Sequence, residues 1–317
     1  MLRKLYESSS TSVLVNAHPV PVTIRRGIKQ GDTMSPKLFN ATLQMVLESI
    51  DWRTCGLRIG GKILSSLEYA DDVALLASTR SMLEKMIRLL AAASAKVGLQ
   101  INPEKSTLLP NNETPRQPIR IDGKTFNFAE HAMYLGCRLS FPLSQSDEIA
   151  HRVQSGWNAL KRFEDIFCNR TVPLSLKKRA FDTCVTPSVL YGAETWSLRK
   201  SDIRKLEVTQ RKMERRMLQL TILDQWSNKR MRALTKLTDW AKEATKKKLL
   251  WAEKIGSMND DEWARLTTTW IPYEYVKGRK RGHPCTRWRD ELSKKIGQHW
   301  WSITKEEFDQ AMKRHSN

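Results

Sequence analysis

The chain is poor in cysteine, and its cysteines form no pattern typical of metal or disulfide sites. Only five occur in 317 residues, and no Cys-x-x-Cys pair exists. Zinc sites and disulfide frameworks need closely or regularly spaced cysteines, so neither is predicted. Since the count is odd and the spacing wide, we expect a reducing compartment.

The sequence also lacks the apolar segments that direct a chain to a membrane or out of the cell. Arg3, Lys4 and Glu7 precede a serine-rich stretch instead of the apolar core of a signal peptide. No run of 18 apolar residues occurs. We therefore expect a protein that is not secreted, has no membrane partner and works in the nucleus or cytoplasm. The oligomeric state is left open.

Acidic residues are scarce relative to basic ones, and the imbalance lies in one half of the chain. The formal net charge is +20, with 54 Lys and Arg against 34 Asp and Glu. Residues 151–317 contribute 36 basic and 20 acidic residues, whereas residues 1–150 contribute 18 and 14. A one-sided excess predicts contact with a phosphate backbone, in which we include the run Lys246, Lys247 and Lys248. The alternative is a solvated helix face.

Two adjacent aspartates, Asp71 and Asp72, interrupt an apolar stretch of the first half. The runs Ile63–Ala70 and Val73–Ala77 flank them and predict two strands that meet at the aspartates. Like charges at a hairpin tip repel each other, and a divalent cation relieves that repulsion. The pair is therefore typical of a magnesium-dependent nucleotidyl transferase. Alternatively, aspartate serves here only as a common turn residue.

Further motifs stand in a fixed order around the aspartates. They are Gln30-Gly31-Asp32 followed by Ser35-Pro36, Tyr69-Ala70-Asp71-Asp72, Gly98–Ser106 and Tyr134-Leu135-Gly136. In this order and spacing they resemble palm motifs B, C, D and E of reverse transcriptases. The resemblance is strongest with non-LTR (LINE-type) retrotransposons, particularly the RTE-like group.

The resemblance extends into the second half of the chain. Tyr191-Gly192-Ala193-Glu194-Thr195-Trp196 is similar to a segment that lies past the thumb in those enzymes. Gly282–Trp288 is similar to their C-terminal Gly-Arg-Pro-Pro-Thr-Arg-Trp signature, with substitutions at the second and fourth places. The resemblance thus covers nearly the whole chain.

The resemblance implies a role for each motif. Asp71 and Asp72 would be the catalytic metal ligands, for magnesium or alternatively manganese, and Lys105 the lysine that protonates the leaving pyrophosphate. Template and nucleotide binding would fall to Gln30, Gly31 and Tyr69. The primer grip would be Tyr134, Leu135 and Gly136. The implied partners are an RNA template, a DNA primer and a deoxynucleoside triphosphate. Gly31 could instead serve only a turn with positive φ, and Lys105 could be a plain loop lysine.

One acidic residue that the resemblance requires is missing from the sequence. The family holds its metals with a third aspartate, from motif A, which precedes motif B. Here Glu7 is the only acidic residue before Asp32. We therefore expect an N-terminally truncated reverse transcriptase that is inactive by itself. The alternative is a non-catalytic nucleic-acid-binding remnant or a domesticated protein.

The expected fold class is α+β. Residues 1–140 should form a partial palm, a small antiparallel sheet with helices. Residues 141–200 should form a helical thumb-like region, and residues 201–317 a basic, tryptophan-rich helical region.

Local sequence signals predict where individual helices and turns begin or end. Ser35 should cap a helix with Pro36 in its first turn, and Ser81 should cap the next. Asp122-Gly123 should turn a hairpin, and Pro187 should bend or split a helix.

Overall fold

A computed structural model describes residues 2–7, 10–24, 27–111, 117–141, 143–271, 287–297, 299–303, 305–308 and 310. Residues 282–286 of the C-terminal signature, which include Cys285, lie outside the described residues. The chain divides into two compact units. Unit 1 consists of Met1–Leu57, Ile63–Pro103 and Arg120–Lys124. Unit 2 consists of Arg58–Lys62, Glu104–Ile119 and Thr125–Asn317. The division into a palm, a thumb and a basic region stays a prediction.

Short strands and helices alternate along the first hundred residues. They are α1 (Leu2–Glu7), β1 (Thr11–Val15), β2 (His18–Val22), α2 (Ser35–Glu48), β3 (Leu57–Ile59), β4 (Lys62–Leu64), β5 (Ser66–Tyr69), β6 (Asp72–Leu75) and α3 (Arg80–Lys96). The mixed α+β class expected from the sequence is therefore present.

The strands of this part of the chain pair as separate two-stranded hairpins. Among the described residues, β1 pairs with β2, β3 with β4 and β5 with β6, and no sheet joins them. The strands between residues 11 and 75 are therefore separate hairpins, and the palm sheet expected over residues 1–140 stays a prediction. One physical reason for the separate hairpins lies in β2, where Pro19 and Pro21 lack the N–H donors that a further strand would need.

The core of unit 1 lies between α2, α3 and the β5–β6 hairpin. Its buried residues are Leu43, Val46, Leu47, Ile50, Leu90 and Ala93. Val73 and Leu75 of β6 pack against this cluster. The helical spacing of apolar residues on α2 is thus confirmed as a buried face, and burial of each such side chain contributes about 1.5–3 kcal/mol. This packing holds β6, and with it the aspartate turn, against the two helices.

Both predicted helix starts are off by one or two residues. Met34 occupies the N-cap position of α2, so Ser35 is the first helical residue, and its hydroxyl donates to the Lys29 carbonyl oxygen at 2.5 Å. Thr79 caps α3 by accepting a hydrogen bond from the Met82 N–H, two residues before the predicted Ser81. The Met34 side chain makes no capping hydrogen bond, whereas at α3 the Thr79 hydroxyl takes the capping role predicted for Ser81.

Helices dominate the rest of the chain. Residues 107–167 form β7 (Thr107–Leu108), β8 (Ile119–Ile121), β9 (Lys124–Phe128), β10 (His131–Tyr134), β11 (Cys137–Ser140), α4 (Gln145–Arg162) and α5 (Glu164–Phe167). Residues 174–295 form α6 (Leu174–Ala180), α7 (Thr186–Val189), α8 (Lys200–Leu218), α9 (Asn228–Thr235), α10 (Trp240–Gly256), α11 (Trp263–Thr269) and α12 (Trp288–Lys295). None of the helices in the described part of the chain has the length and apolar character to span a bilayer.

Local turn signals in this part of the sequence are confirmed. Asp122 and Gly123 have φ of +49° and +75°, as a two-residue hairpin between β8 and β9 requires. A π-helical turn, Phe181–Val185, separates α6 from α7. Pro187 lies in the first turn of α7, where its missing N–H breaks the helical ladder as predicted.

The largest core of unit 2 is built on aromatic residues. Trp196, Trp240, Phe167 and Phe181 are buried, and Trp240 stacks on Phe181 with ring centroids 5.9 Å apart. The indole N–H of Trp240 donates to the Thr186 hydroxyl at 3.1 Å. These tryptophans are therefore core residues, as their helical spacing indicated. Replacing one of them by alanine would lower the free energy of unfolding by about 3–5 kcal/mol.

Candidate active site

The two aspartates lie at the tip of the β5–β6 hairpin. Tyr69 pairs directly with Asp72 across the antiparallel ladder, and Ala70 and Asp71 form the turn between them. Both carboxylates are exposed, and Tyr69 is 66% exposed. The predicted hairpin is confirmed, and both of the adjacent acidic groups at its tip are exposed to solvent.

The turn carries backbone strain. Ala70 has φ of +52°, in the left-handed region that favours glycine. An alanine in this conformation costs about 1–2 kcal/mol. The strain is tolerated because Val73 and Leu75 fix the hairpin in the core of unit 1. Strained residues held in this way concentrate at ligand and catalytic sites.

The loop before α2 is organised by its own polar side chains. The Asp32 carboxylate accepts a hydrogen bond from the Met34 N–H at 3.0 Å. Gly31 has φ of +86°, and no atom lies within 4 Å of the position of an added Cβ. Its conformation therefore requires glycine, as the turn interpretation predicted, while the open space beside it leaves room for a ligand. Gln30 is exposed on the same loop.

A groove in unit 1 runs along α2 to the aspartate turn. Its volume is 390 Å³, and its lining residues include Asn40, Gln44, Glu48, Glu68 and Ala70. The two glutamates already accept hydrogen bonds, from Gln44 at 2.8 Å and from the Ser66 hydroxyl at 2.7 Å. The groove therefore combines these polar groups with apolar lining residues such as Leu43 and Trp52, and it reaches the strained Ala70.

The described residues offer an incomplete ligand set for a two-metal centre. Asp71 and Asp72 supply adjacent carboxylates, but no group of three or more His, Cys, Asp or Glu residues in the described part of the chain could hold a metal ion. Two-metal phosphoryl-transfer centres share their ions among several carboxylates. This pair alone therefore fits only part of such a centre.

Lys105 lies in an exposed turn, Pro103–Lys105, between α3 and β7. This residue belongs to unit 2, whereas the aspartate hairpin belongs to unit 1. Its role in proton transfer stays a prediction.

The motif E residues form a tight hairpin turn. Leu135 and Gly136 connect β10 to β11 with φ of +47° and +73°. Both turn carbonyl oxygens accept hydrogen bonds from side chains of unit 2. The Tyr191 hydroxyl donates to Leu135 at 2.9 Å, and the Arg152 guanidinium donates to Gly136. Tyr134 ends β10 on the N-terminal side of the turn.

Arg152 is the centre of a buried cluster that holds this turn. It pairs with Glu148 of the same helix, Nε to Oε1, at 2.5 Å, and both residues are 6% exposed. The other Glu148 oxygen accepts from the Arg138 N–H at 2.8 Å. The guanidinium also lies 4.7 Å from the centre of the Tyr191 ring. We call Glu148, Arg152 and Tyr191 the turn clamp.

The sequence singled out the Tyr191 segment but did not predict its contact with the motif E turn. The segment begins with the ring that packs on Gly136, where an added Cβ would lie 3.3 Å from the Tyr191 Cε1. The positive φ of +73° favours glycine at this position, and an added Cβ would crowd the Tyr191 ring. The sequence does indicate a pair between the other two clamp residues, because Glu148 and Arg152 are four residues apart and therefore lie on one helix face.

The three lysines predicted to contact phosphate do not share one environment. Lys246 is exposed, but the Lys247 ammonium donates to the Leu190 carbonyl oxygen at 3.1 Å. Lys248 is 3% exposed and pairs with Glu291 at 2.7 Å. Burial lowers the pKa of Lys248. Burial of Glu291 acts to raise its pKa, but hydrogen bonds from Lys248 and Lys295 outweigh this and lower it. Phosphate contact by Lys248 is therefore corrected to a structural ion pair, since a buried ammonium cannot reach a backbone outside.

This arrangement predicts different effects on protein stability when Lys248 or Lys246 is replaced. Lys248→Gln should lower the free energy of unfolding by about 1.5–3 kcal/mol, because Glu291 loses the charge-assisted hydrogen bond from Lys248 and keeps only the one from Lys295. Lys246→Gln, the matched exposed control, should change stability by less than about 0.5 kcal/mol. Urea unfolding followed by tryptophan fluorescence measures both. Equal effects of the two substitutions would contradict the buried pair.

Known proteins are similar to this chain over different stretches of its sequence. The family profile described as reverse transcriptase (RNA-dependent DNA polymerase) matches residues 2–139, which contain the hairpin and the motif E turn. Within the matched proteins, the type-1 retrotransposable element R2 polyprotein of Nasonia vitripennis is 38% identical over 80 residues, which are 25% of this chain and 8% of that protein. Residues 2–139 therefore match the reverse transcriptase family, and the similarity to R2 retrotransposon polyproteins supports a non-LTR retrotransposon origin.

Two other relatives match longer stretches of this chain. A transposon-derived protein of Caenorhabditis elegans is 27% identical over 251 residues, 76% of this chain and 88% of that protein. A protein of Drosophila melanogaster, named as a probable RNA-directed DNA polymerase from transposon BS, is 24% identical over 63% of this chain. The chain spans 23% of the length of that polymerase. The finer assignment of the reverse transcriptase segment to the RTE-like group stays a prediction.

Proposed function

We propose that this chain supplies the aspartate hairpin, the primer grip and a basic nucleic-acid-binding region of an RNA-directed DNA polymerase. The observation that carries the proposal is the hairpin tip, where Asp71 and Asp72 stand exposed beside the strained Ala70. In the complete enzyme these carboxylates would bind Mg²⁺ or Mn²⁺, which stabilises the attacking and leaving oxygens.

The remaining site residues have supporting roles in this proposal. Gln30 and Gly31 would face the template and the incoming deoxynucleoside triphosphate, with Tyr69 near the primer end. The motif E turn would position the primer, and the turn clamp would fix that turn. Lys105 would donate a proton to the leaving pyrophosphate. The substrates would be an RNA template, a DNA primer and deoxynucleoside triphosphates.

A primer-extension assay tests the catalytic part of this proposal. Purified chain with oligo(dT) on poly(rA) should give no extension with Mg²⁺ or Mn²⁺, because two carboxylates leave a two-metal centre short of charge and of a bridging ligand. Fusion of a motif A segment from the related transposon BS polymerase to the N-terminus should restore extension. Asp71→Asn in that fusion should abolish it.

Two results would contradict the proposal. Extension by the unfused chain that Asp71→Asn abolishes would show that the third carboxylate is dispensable. A fusion that binds primer–template but never extends would favour the second candidate, a non-catalytic nucleic-acid-binding protein. The observation favouring that candidate is the absence of a three-residue metal cluster in the described part of the chain, together with the basic second half.

A further inference from the structure

An apolar tip projects from the connection between α8 and α9. It consists of Ile222 and Leu223, which are 86% and 89% exposed. Both lie in a single 3₁₀ turn, Ile222–Asp224. Two adjacent aliphatic side chains with this exposure do not contribute to the core and are accessible to a partner.

The apolar tip is built as a rigid turn. The Asp224 carboxylate accepts hydrogen bonds from the Thr221 N–H at 2.6 Å and from the Thr221 hydroxyl at 2.8 Å. Gln219 and Gln225, one on each side, have φ of +55° and +51°. A loop closed by its own side chain and bounded by left-handed residues has few alternative conformations, so the aliphatic side chains are presented in a fixed orientation.

The base of the tip is anchored to neighbouring elements of unit 2. The Gln219 side chain donates to the Cys168 carbonyl oxygen and accepts from Arg170 Nε at 2.6 Å. Arg215 of α8 donates to the Asn228 side chain of α9 at 2.9 Å, which joins the two helices below the tip. These contacts would resist bending when the tip is pushed against a partner.

The surroundings of the apolar tip are basic. Residues 212–230 contain five Lys or Arg and two acidic residues. Of the acidic residues, Glu214 is buried in a pair with Arg211 at 2.8 Å, and Asp224 is held inside the turn. Lys229 and Arg230 are exposed at the start of α9, and Arg230 stacks over the Trp226 ring at 4.0 Å. A partner must therefore combine an apolar surface with nearby negative charge.

We propose that Ile222 and Leu223 form a wedge that inserts between stacked base pairs of a nucleic-acid duplex, while Lys229 and Arg230 contact the adjacent phosphates. Base faces are apolar and the backbone beside them is anionic, which matches both parts of this surface. Proteins that kink duplexes insert isoleucine or leucine between base steps in the same combination with Arg and Lys. This inference rests on the proposed nucleic-acid role and adds a second contact away from the aspartate hairpin.

The wedge can be tested without disturbing the fold. Ile222→Ser with Leu223→Ser replaces two side chains that are almost fully exposed, so unfolding should be unchanged. Affinity for a 20-base-pair RNA–DNA hybrid, measured by fluorescence anisotropy with the full chain, should fall about tenfold, because the unstacked base faces lose their apolar contact. The salt slope should not change, because serine for aliphatic substitution removes no phosphate contact.

A second readout reports insertion itself. A 2-aminopurine placed within the hybrid, or within a duplex DNA of the same sequence, should brighten when the parent chain binds and stay quenched with the double variant. The control is Leu250→Ser, which removes an exposed leucine of α10 and should behave as the parent. Comparison of hybrid and DNA duplex shows which duplex the wedge accepts.

Each other outcome overturns the inference. Parent-like affinity and brightening in the double variant would exclude a wedge while leaving the nucleic-acid role intact. Loss of parent self-association on light scattering in the variant, without loss of duplex affinity, would make the tip a protein contact. A parent chain that binds no nucleic acid at all would overturn both the wedge and the proposed function.

Discussion

Replacement of Arg152 by methionine is expected to lower the free energy of unfolding by about 3–5 kcal/mol. The substitution leaves the Glu148 carboxylate buried without its cation and removes the donor to the Gly136 carbonyl oxygen. Methionine retains much of the side-chain volume, so the loss reports charge and hydrogen bonding more than packing. Urea unfolding followed by tryptophan fluorescence measures the change, since ten of the 11 tryptophans lie after residue 150.

A matched control is available in α3. Arg80 and Glu84 form an i,i+4 pair of the same residue types at 3.0 Å, but their side chains are 28% and 34% exposed. Arg80→Met should therefore cost less than about 1 kcal/mol, because water solvates the remaining carboxylate. The double substitution Glu148→Gln with Arg152→Met should recover part of the loss. Equal losses in α3 and α4 would show that burial does not set the strength of the clamp pair.

Nucleic-acid affinity is expected to fall by about 10³–10⁵ between 50 and 200 mM salt, if the basic surface contacts six to ten phosphates. The net charge of +16 in residues 151–317, from 36 basic and 20 acidic residues, supplies the counterion release that drives this dependence. Fluorescence anisotropy with labelled RNA and single-stranded DNA across a salt series measures it. Affinity should be nearly independent of base sequence, because phosphate contacts carry no sequence information.

The structure changes which of the three lysines should affect the salt dependence of binding. From the sequence alone, replacing Lys246, Lys247 and Lys248 by Gln would flatten the salt slope by about two to three units. Because only Lys246 of the three is exposed, we now expect about one unit, from Lys246→Gln alone. Lys248→Gln should leave the slope unchanged while lowering stability. A flat slope for the parent chain would mean that the basic half is only a solvated surface.

Acid should weaken the Lys248–Glu291 pair in a defined direction. The pKa of Glu291 in the folded chain is lowered from its ordinary value of 4.5, so its ionised form is favoured by folding. The stability that it contributes is complete above its unfolded pKa and is lost as the pH falls through the folded pKa. The deficit caused by Lys248→Gln should therefore shrink over the same acidic range.

The sequence by itself determined the local elements of this protein. The apolar runs around Asp71 and Asp72 predicted the hairpin, and the spacing of apolar residues on α2 predicted its buried face. Asp122-Gly123 and Pro187 predicted a turn and a helix break. Each of these features depends on backbone preferences or on periodicity within a few residues, and both can be predicted from a single sequence. The ordered motifs also indicated the family, which the matched residues 2–139 confirm.

Only the tertiary structure decided which residues far apart in sequence contact each other and which are buried. It joined Tyr191 to the turn at Leu135 and Gly136, and it buried Lys248 against Glu291 while leaving Lys246 in solvent. It also left Ile222 and Leu223 outside the core, although their apolar character favours burial. These outcomes depend on which surfaces meet when helices pack, and side-chain type and spacing along one chain do not fix those long-range partners.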